Sequence, residues 1–229
     1  MTDWTPAELQ AVWLSLKVAS VAMAFSLVPA IGVAWLLSRH RFWGRSVLNT
    51  LVHLPLVVPP VVTGYVLLRV FGQRGVVGAW LLTHGGFQFS FRWTGAALAA
   101  GVMAFPLIVR AVQLGIDNVD RQIEEAAATL GASPWKVFLS VTLPLALPGL
   151  VAGLAIGFAK ALGEFGATIT FVSNIPGETQ TLALAIYSQV ERPGGDGPAM
   201  RLAWLSIGIS VLALFASEAL SRSLRHREP

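Results

Sequence analysis

The chain contains no cysteine among its 229 residues. This absence excludes a disulfide framework, a catalytic thiol and any zinc or iron–sulfur site that is ligated by cysteine. Charge is also scarce, because only 12% of the residues are Asp, Glu, Lys or Arg, about half the share in an average soluble domain. With 55% hydrophobic residues and a mean hydropathy of +0.67, the composition indicates an integral membrane protein. The length fits a single domain over residues 1–229.

Sites that convert energy are missing as well. The chain has three lysines, Lys17, Lys136 and Lys160, and none of them follows a glycine, so the P-loop that binds nucleotide phosphates is absent. The four histidines are scattered and form no HExxH motif, so neither a metal nor a bound cofactor is expected. An ion-coupled carrier would need a carboxylate deep in the membrane, whereas Glu164 and Glu218 lie near the ends of apolar segments. Active transport would therefore depend on ATP hydrolysis by another polypeptide.

Long hydrophobic runs dominate the chain. Their pattern predicts an all-α integral membrane protein with five spans, at about residues 11–37, 47–71, 93–113, 141–164 and 202–220. Each run is long enough for a hydrocarbon layer of about 30 Å. Pro59 and Pro60 remove backbone donors from the second run and should break its helix where it faces protein or a water-lined cavity. A sixth span over 169–190 would bury Asn174 and Glu178 in lipid, which is unfavourable.

The cations that flank these spans are distributed unequally. With the N-terminus outside, the inner segments hold Arg39, Arg41, Arg45, Arg110, Arg121, Lys136, Arg222, Arg225 and Arg227, and the outer segments hold Arg69, Arg74, Arg92, Arg192 and Arg201. Because cytoplasmic segments carry the excess of positive charge, the N-terminus is predicted outside and the C-terminus in the cytoplasm. The same scatter argues against nucleic-acid binding, despite a net charge of +4.

One polar interruption, at about residues 117–140, lies on the predicted cytoplasmic side. Asp120 is a good helix N-cap and Gly131 is a good residue to end that helix, while Ser133 followed by Pro134 marks the start of a second one. The segment is therefore predicted to be two short helices joined by a tight corner. A narrow face of small and apolar side chains repeats at helical spacing between the caps: Ile123, Ala126, Ala127 and Leu130. Such a face suits a partner, although an ordinary helical hairpin loop would have the same caps.

The stretch from Glu125 to Pro144 reads Glu-Ala-Ala, three residues, Gly, nine residues, an aliphatic residue, one residue, and Leu-Pro. This pattern resembles the cytoplasmic coupling motif of permease subunits in ABC importers, with Val141 in the place usually held by isoleucine. The resemblance implies that the first helix docks in a groove on an ATPase subunit, where Glu125 meets a basic residue. It assigns coupling to six residues: Glu125, Ala126, Ala127, Gly131, Leu143 and Pro144.

Two further stretches narrow the resemblance to sulfate and molybdate permeases. Residues 162–168, Leu-Gly-Glu-Phe-Gly-Ala-Thr, are similar to a stretch shared by both groups. Residues 169–180, together with Pro-Pro-Val-Val-Thr-Gly-Tyr at 59–65, look like the molybdate permeases of bacteria. The resemblance covers almost the whole chain and implies the type I (MetI-like) importer permease fold. It also implies translocation of molybdate across the bacterial cytoplasmic (inner) membrane.

The same resemblance implies partners. Two cytoplasmic ATPase subunits would bind ATP and Mg, and a periplasmic molybdate-binding protein would select the substrate. A second copy of the chain would complete a pathway along a two-fold axis through the lipid, since five helices are few for a channel. The candidate pathway residues flank the predicted helix break and the 162–168 stretch: Pro59, Pro60, Thr63, Gly64, Glu164, Phe165, Gly166 and Thr168.

Alternatives stay open at this point. The threonines among the pathway candidates are equally good caps and turn formers, and Lys160 and Glu164 can simply pair on one helix face. Gly149, Gly153 and Gly157 form a small-residue row that is typical of a helix-packing seam. Sulfate, thiosulfate or tungstate could be the substrate instead of molybdate. A self-contained membrane channel or an ion-coupled carrier is the alternative from another class.

Overall fold

The computed structural model describes residues 4–225, with side chains up to residue 223, and this part of the chain contains no β-strand. Its helices are α1 Pro6–Arg39, α2 Arg45–Val57, α3 Pro60–Phe71, α4 Val76–Gly85, α5 Trp93–Asp117, α6 Arg121–Thr129, α7 Pro134–Val137, α8 Leu143–Leu145, α9 Leu147–Leu162, α10 Gly166–Val172, α11 Leu182–Val190 and α12 Asp196–Arg225. A π-helical segment, Phe138–Thr142, joins α7 to α8. The prediction of an all-α protein is confirmed.

Three helices, α1, α5 and α12, are long and apolar enough to cross a membrane. Two bent pairs of helices are together long and apolar enough to cross as well. These are α2 with α3, which are bent by 114°, and Pro134–Leu145 with α9, which are bent by 67°. Five spans result when each bent pair counts as one. The stretch 169–190, the sixth span of the alternative topology, is divided between α10 and α11 and forms no single crossing helix.

The break between α2 and α3 lies at the predicted prolines. Val58, which precedes Pro59, has the extended backbone that a following proline favours, with φ −76° and ψ 140°. Pro59 is the N-cap of α3 and Pro60 is its first residue, where a missing N–H removes no hydrogen bond from the helix. The two prolines therefore end one helix and begin another in a new direction.

The predicted span 141–164 differs from the structure, because it is not one continuous helix. It begins inside the π-helical segment, where the Leu143 N–H bonds the Phe138 carbonyl five residues back, and it bends at Ala146. Pro144 and Pro148 follow closely, and neither has an N–H to continue a regular α-helical ladder. Sequence periodicity alone did not separate the two pieces.

The centre of the bundle is formed by α1, α5 and α9, which pack against one another. Alanine is the commonest residue buried there, for example Ala19, Ala22, Ala30, Ala34, Ala96, Ala99, Ala100 and Ala104. Lipid tails are as apolar as the helices, so association depends on dispersion contacts, which small side chains improve by letting the backbones approach. Helices α3 and α10 pack together at the side of this core, and α12 covers α9 and α11.

The glycine row of α9 is the packing seam that the sequence indicated. A Cβ atom added to Gly149 would lie 2.7 Å from Gly115 Cα, and one added to Gly153 would lie 3.1 Å from Ala111 Cβ. Gly157 is similarly enclosed by Ile108. The backbones of α5 and α9 are therefore closest where both helices carry glycine.

At the end of the bundle where α1 begins, a buried carboxylate ties α1 to α12. Thr5 and Glu8 form a capping box, in which the Thr5 N–H donates to Glu8 Oε2 at 2.8 Å and the Glu8 N–H donates to Thr5 Oγ1 at 3.3 Å. Arg201 of α12 pairs with the other oxygen of Glu8, and its guanidinium lies 5.1 Å from the centre of the Trp4 ring. Sequence analysis did not find this pair.

We expect Gly149→Ala to destabilise the protein by roughly 1–3 kcal/mol, because the added methyl group meets α5 backbone that cannot move aside without separating the helices. The thermal unfolding midpoint in detergent measures the effect. Gly208→Ala is the matched control, since no atom lies within 4 Å of the corresponding position in α12. Equal midpoints for the two variants would contradict a seam at Gly149.

Candidate coupling segment and substrate pathway

The coupling segment, residues 117–140, folds as the caps predicted. The Asp120 carboxylate accepts from the Gln122 N–H at 2.9 Å and begins α6, and Ser133 accepts from the Lys136 N–H at 3.4 Å and begins α7. Between them Gly131 has φ +88°, a left-handed conformation that glycine adopts without strain. Two hydrogen bonds, from the Gly131 and Ala132 N–H groups to carbonyls in the last turn of α6, complete the corner.

The corner carries an exposed apolar surface. Leu130 is 89% exposed, Trp135 61% and Ile123 49%, and α6 contains no buried residue. Ala126 and Ala127 lie between the larger side chains and leave the helix backbone accessible. Contiguous exposed apolar side chains in a polar segment are typical of a protein interface.

A single carboxylate fastens this surface to the membrane helices. Glu124 of α6 lies 3.0 Å from Nε of Arg39, the last residue of α1. It also accepts a hydrogen bond from Thr142 in the π-helical segment. Arg39 in turn donates to the carbonyl oxygens of Ile116 at 2.8 Å and Val119 at 3.3 Å, at the end of α5. Glu124 and Arg39 therefore link α6 to α1, to the end of α5 and to the π-helical segment that precedes α8.

The neighbouring carboxylate, Glu125, behaves differently. Its side chain is exposed, and it forms no ion pair with the side chains described, those of residues 4–223. Consecutive residues on a helix are about 100° apart, so Glu124 and Glu125 cannot both face α1. Both residues lie in the first turns of α6, where a carboxylate complements the helix dipole, so the sequence gives no signal that singles out Glu124 as the anchor.

The other predicted coupling residues lie further along the segment. Leu143 is half-buried and Pro144 is exposed, and both follow Thr142 in α8. They do not belong to the apolar surface of the corner. They lie where the segment enters the bundle, one residue after the hydroxyl that bonds Glu124.

The two predicted groups of pathway residues come together where α3 packs on α10. A Cβ atom added to Gly64 would lie 2.5 Å from the Ala167 carbonyl oxygen, and one added to Gly166 would lie 2.8 Å from Pro60 Cβ. Residues from the helix break and from the 162–168 stretch thus form one contact. Of the remaining candidates, Pro59 is exposed, Thr63 is half-buried and Thr168 is 1% exposed.

Glu164 is buried beside this contact, and its carboxylate binds two partners. Its carboxylate pairs with Lys160 Nζ at 2.7 Å, as the four-residue spacing suggested, and it accepts from the Ala167 N–H at 3.0 Å in the first turn of α10. The pair has no net charge, so it stabilises the turn between α9 and α10 without attracting an anion. Phe165 packs against Tyr187 of α11, with ring centres 5.1 Å apart.

A family model described as "Binding-protein-dependent transport system inner membrane component" matches residues 27–226. The chain belongs to this family.

Individual permeases of this family resemble the chain over nearly its full length. The molybdenum transport system permease protein ModB of Escherichia coli (strain K12) is 53% identical over 223 residues, which is 97% of each chain. ModB of Haemophilus influenzae is 52% identical over 220 residues, which is 96% of each chain. The sulfate transport system permease protein CysT of Escherichia coli (strain K12) is 36% identical over 223 residues, 97% of this chain and 79% of CysT.

Solved importer structures share the fold of this permease. A chain of the inward-facing MetNI methionine ABC transporter superposes with a TM-score of 0.72 at 20% identity, over 94% of this permease and 95% of that chain. A chain of a bacterial alginate ABC transporter, solved in complex with an alginate pentasaccharide-bound periplasmic protein, gives a TM-score of 0.76 at 17% identity. The match covers 96% of this permease and 80% of that chain. The expected type I importer permease fold is confirmed.

We expect Glu124→Gln to lower the stability of the permease by roughly 1–3 kcal/mol, because hydrogen bonds to a charged partner weaken and Arg39 loses its counter-charge. Thermal unfolding in detergent is the measurement. Glu125→Gln is the control, and it should leave the midpoint unchanged because that side chain is exposed. If the two variants unfold alike, Glu124 is not the anchor.

Proposed function

We propose that this permease is the membrane subunit of an ATP-driven importer that translocates molybdate across the cytoplasmic membrane. The observation that carries the proposal is the coupling segment: it exposes an apolar surface, while Glu124 ties it to α1 and to the π-helical segment and, through Arg39, to the end of α5. A surface that is accessible on one side and rigidly attached on the other suits transmission of movement.

The sequence identities to the relatives favour molybdate as the substrate of this permease. Both ModB proteins, named for molybdenum transport, are identical to this permease at more than half of the aligned positions, whereas the sulfate permease CysT is identical at about a third. The stretches at 59–65 and 169–180 had already suggested the same substrate.

Two copies of the permease would enclose the pathway between them. Helices α2 and α3 support this arrangement, because they leave large apolar side chains uncovered: Val57, Val61, Tyr65 and Val66 are each more than half exposed. In the dimer we place the contact between α3 and α10 beside the two-fold axis. The pathway would then run along the helix break, with Pro59, Thr63 and Phe165 nearest to the substrate.

The partners follow from the orientation that the cations favour. The N-terminus lies outside, and the coupling segment and C-terminus lie in the cytoplasm. Two ATPase subunits bind the corner around Leu130 and supply ATP and Mg. A periplasmic molybdate-binding protein delivers the substrate to the other side of the inner membrane.

Coupling proceeds through the contacts of Glu124. Nucleotide-driven closure of the ATPase pair moves α6, and the ion pair with Arg39 moves the end of α1. The hydrogen bond with Thr142 carries the movement to the bent helix that continues as α9. Since α1, α5 and α9 pack closely, the bundle shifts as a unit between outward- and inward-facing states.

Gly131→Pro and Glu125→Lys should each abolish co-purification of the ATPase subunit while leaving membrane insertion intact. Proline cannot adopt the φ of +88° at the corner, and lysine reverses the charge that faces the partner. Glu218→Lys is the control, because it makes the same charge change at an exposed position on α12, outside the coupling segment. Normal assembly of both corner variants would refute the coupling role.

Reconstitution with the ATPase and the molybdate-binding protein in liposomes tests the function itself. We expect uptake of labelled molybdate that requires ATP and persists in excess sulfate. Uptake by the permease alone, without nucleotide, would establish a channel or carrier instead. Equal competition by sulfate would replace molybdate with a broader oxyanion substrate.

A further inference from the structure

A polar cavity of about 310 Å³ lies at the end of the bundle that carries the coupling segment. It is separate from the contact between α3 and α10, and it is bounded by the end of α1, the start of α2 and the last turns of α5. Its lining residues are Leu37, Arg45, Ser46, Asn49, Arg110 and Gln113. Two arginines and no carboxylate line it, which gives it a positive potential.

The two arginines retain most of their hydrogen-bonding capacity. Arg45 donates one N–H to the Leu37 carbonyl oxygen at 2.7 Å, which positions its guanidinium at the cavity. Within residues 4–225, neither Arg45 nor Arg110 pairs with a carboxylate. Each guanidinium carries five N–H donors in a planar fork that matches oxyanions. Both residues are exposed, so an anion can reach their guanidinium groups from outside the bundle.

A buried amide in the cavity lacks a partner. Gln113 is 8% exposed, and its Oε1 atom forms no hydrogen bond within the described part of the chain. A buried polar atom without a partner costs about 1–3 kcal/mol, which a bound ligand would offset. Because the oxygen and nitrogen of an amide are assigned from their neighbours, a 180° rotation presents the NH₂ group to an anion.

The start of α2 adds a third attraction. This helix has 13 residues, and its N-cap, Gly44, provides no side-chain hydrogen bond to the first turn. The Arg45 N–H bonds the Phe42 carbonyl, whereas the backbone N–H groups of Ser46 and Val47 have no such partner among the described residues, and together with the helix dipole they favour negative charge at this end. Ser46 and Asn49, one turn apart on α2, bring a hydroxyl and an amide to the same cavity.

We propose that this cavity is a binding site for a tetrahedral oxyanion group, held by Arg45 and Arg110 with Gln113, Ser46 and Asn49. The cavity volume is about ten times the ~30 Å³ that one water molecule occupies in the liquid. A tetrahedral anion therefore fits together with part of its hydration shell. The ligand is either a free oxyanion that has crossed the membrane or the phosphate of an anionic lipid. Only the first source rests on the proposed function.

Occupation of the site would also hold α2 in place. Val52 is the one buried residue of α2, so this helix has few contacts with the bundle. An anion between Arg45 on α2 and Arg110 on α5 connects the two helices by charge-assisted hydrogen bonds, which are the stronger class in proteins.

The test uses the full-length permease, without ATPase, in nanodiscs of phosphatidylcholine. Equilibrium binding of labelled molybdate and labelled sulfate is measured for the wild type, R110Q, R45Q and R110K. We expect saturable binding by the wild type, at least tenfold weaker binding by R110Q and R45Q, and partial recovery in R110K. The control is R41Q, which removes an exposed arginine outside the cavity and should bind like the wild type.

A second arm distinguishes the two sources. Nanodiscs containing phosphatidylglycerol are analysed by native mass spectrometry for lipid retained on the wild type and on R110Q. Retention that depends on Arg110, together with competition against free molybdate, assigns the site to a lipid phosphate. Molybdate binding that is indifferent to lipid charge assigns it to a free oxyanion.

The site is disproved if R110Q and R45Q, with unchanged circular dichroism and thermal midpoint, bind both anions and anionic lipid as the wild type does. It is equally disproved if the wild type binds none of these ligands. Failure of the proposed function looks different, because a reconstituted importer would not transport molybdate although the isolated permease still bound an oxyanion.

Discussion

The close packing of α1 against α5 brings the end of α5 and the first turns of α6 within reach of one guanidinium. Arg39 closes α1, bonds the Ile116 and Val119 carbonyls at the end of α5, and pairs with Glu124. Through the Thr142 hydroxyl, Glu124 also holds the segment that becomes α9. Larger side chains in the core would move these ends apart, so alanine and glycine in the membrane determine the geometry of a salt bridge at its surface. The cost of burying that ion pair is offset by the number of hydrogen bonds that it makes.

The adjacent glutamates of α6, Glu124 and Glu125, lie in different environments. Glu124 faces the bundle and makes α6 part of it, whereas Glu125 remains accessible at the surface beside Ala126 and Ala127. One turn of helix thus has a side that bonds to the bundle and a side that stays exposed. The corner at Gly131 comes two residues after the last residue of α6 and keeps the segment short.

Features that depend on local chemistry could be predicted from the sequence. The caps at Asp120 and Ser133, the left-handed glycine at 131, the break at Pro59 and the glycine seam of α9 each follow from a few neighbouring residues. The fold class followed from hydropathy. These signals are strong because backbone hydrogen bonding in lipid leaves few alternatives.

Features that depend on distant pairing could not be predicted. Arg39 and Glu124 are 85 positions apart, and Glu8 and Arg201 are 193 positions apart, so neither pair leaves a periodic pattern. The angle of 114° between α2 and α3 is likewise set by what α3 packs against, whereas the prolines only fix where the chain turns. The convergence of Arg45, Arg110 and Gln113 also needed the tertiary structure.

The exposure of Leu130 and Trp135 has a consequence for the cell. A copy synthesised in excess of its ATPase would present these side chains to water, where they would attract chaperones, quality-control proteases or other orphan copies. Under the proposed assembly, balanced production of the two polypeptides would keep this apolar surface covered.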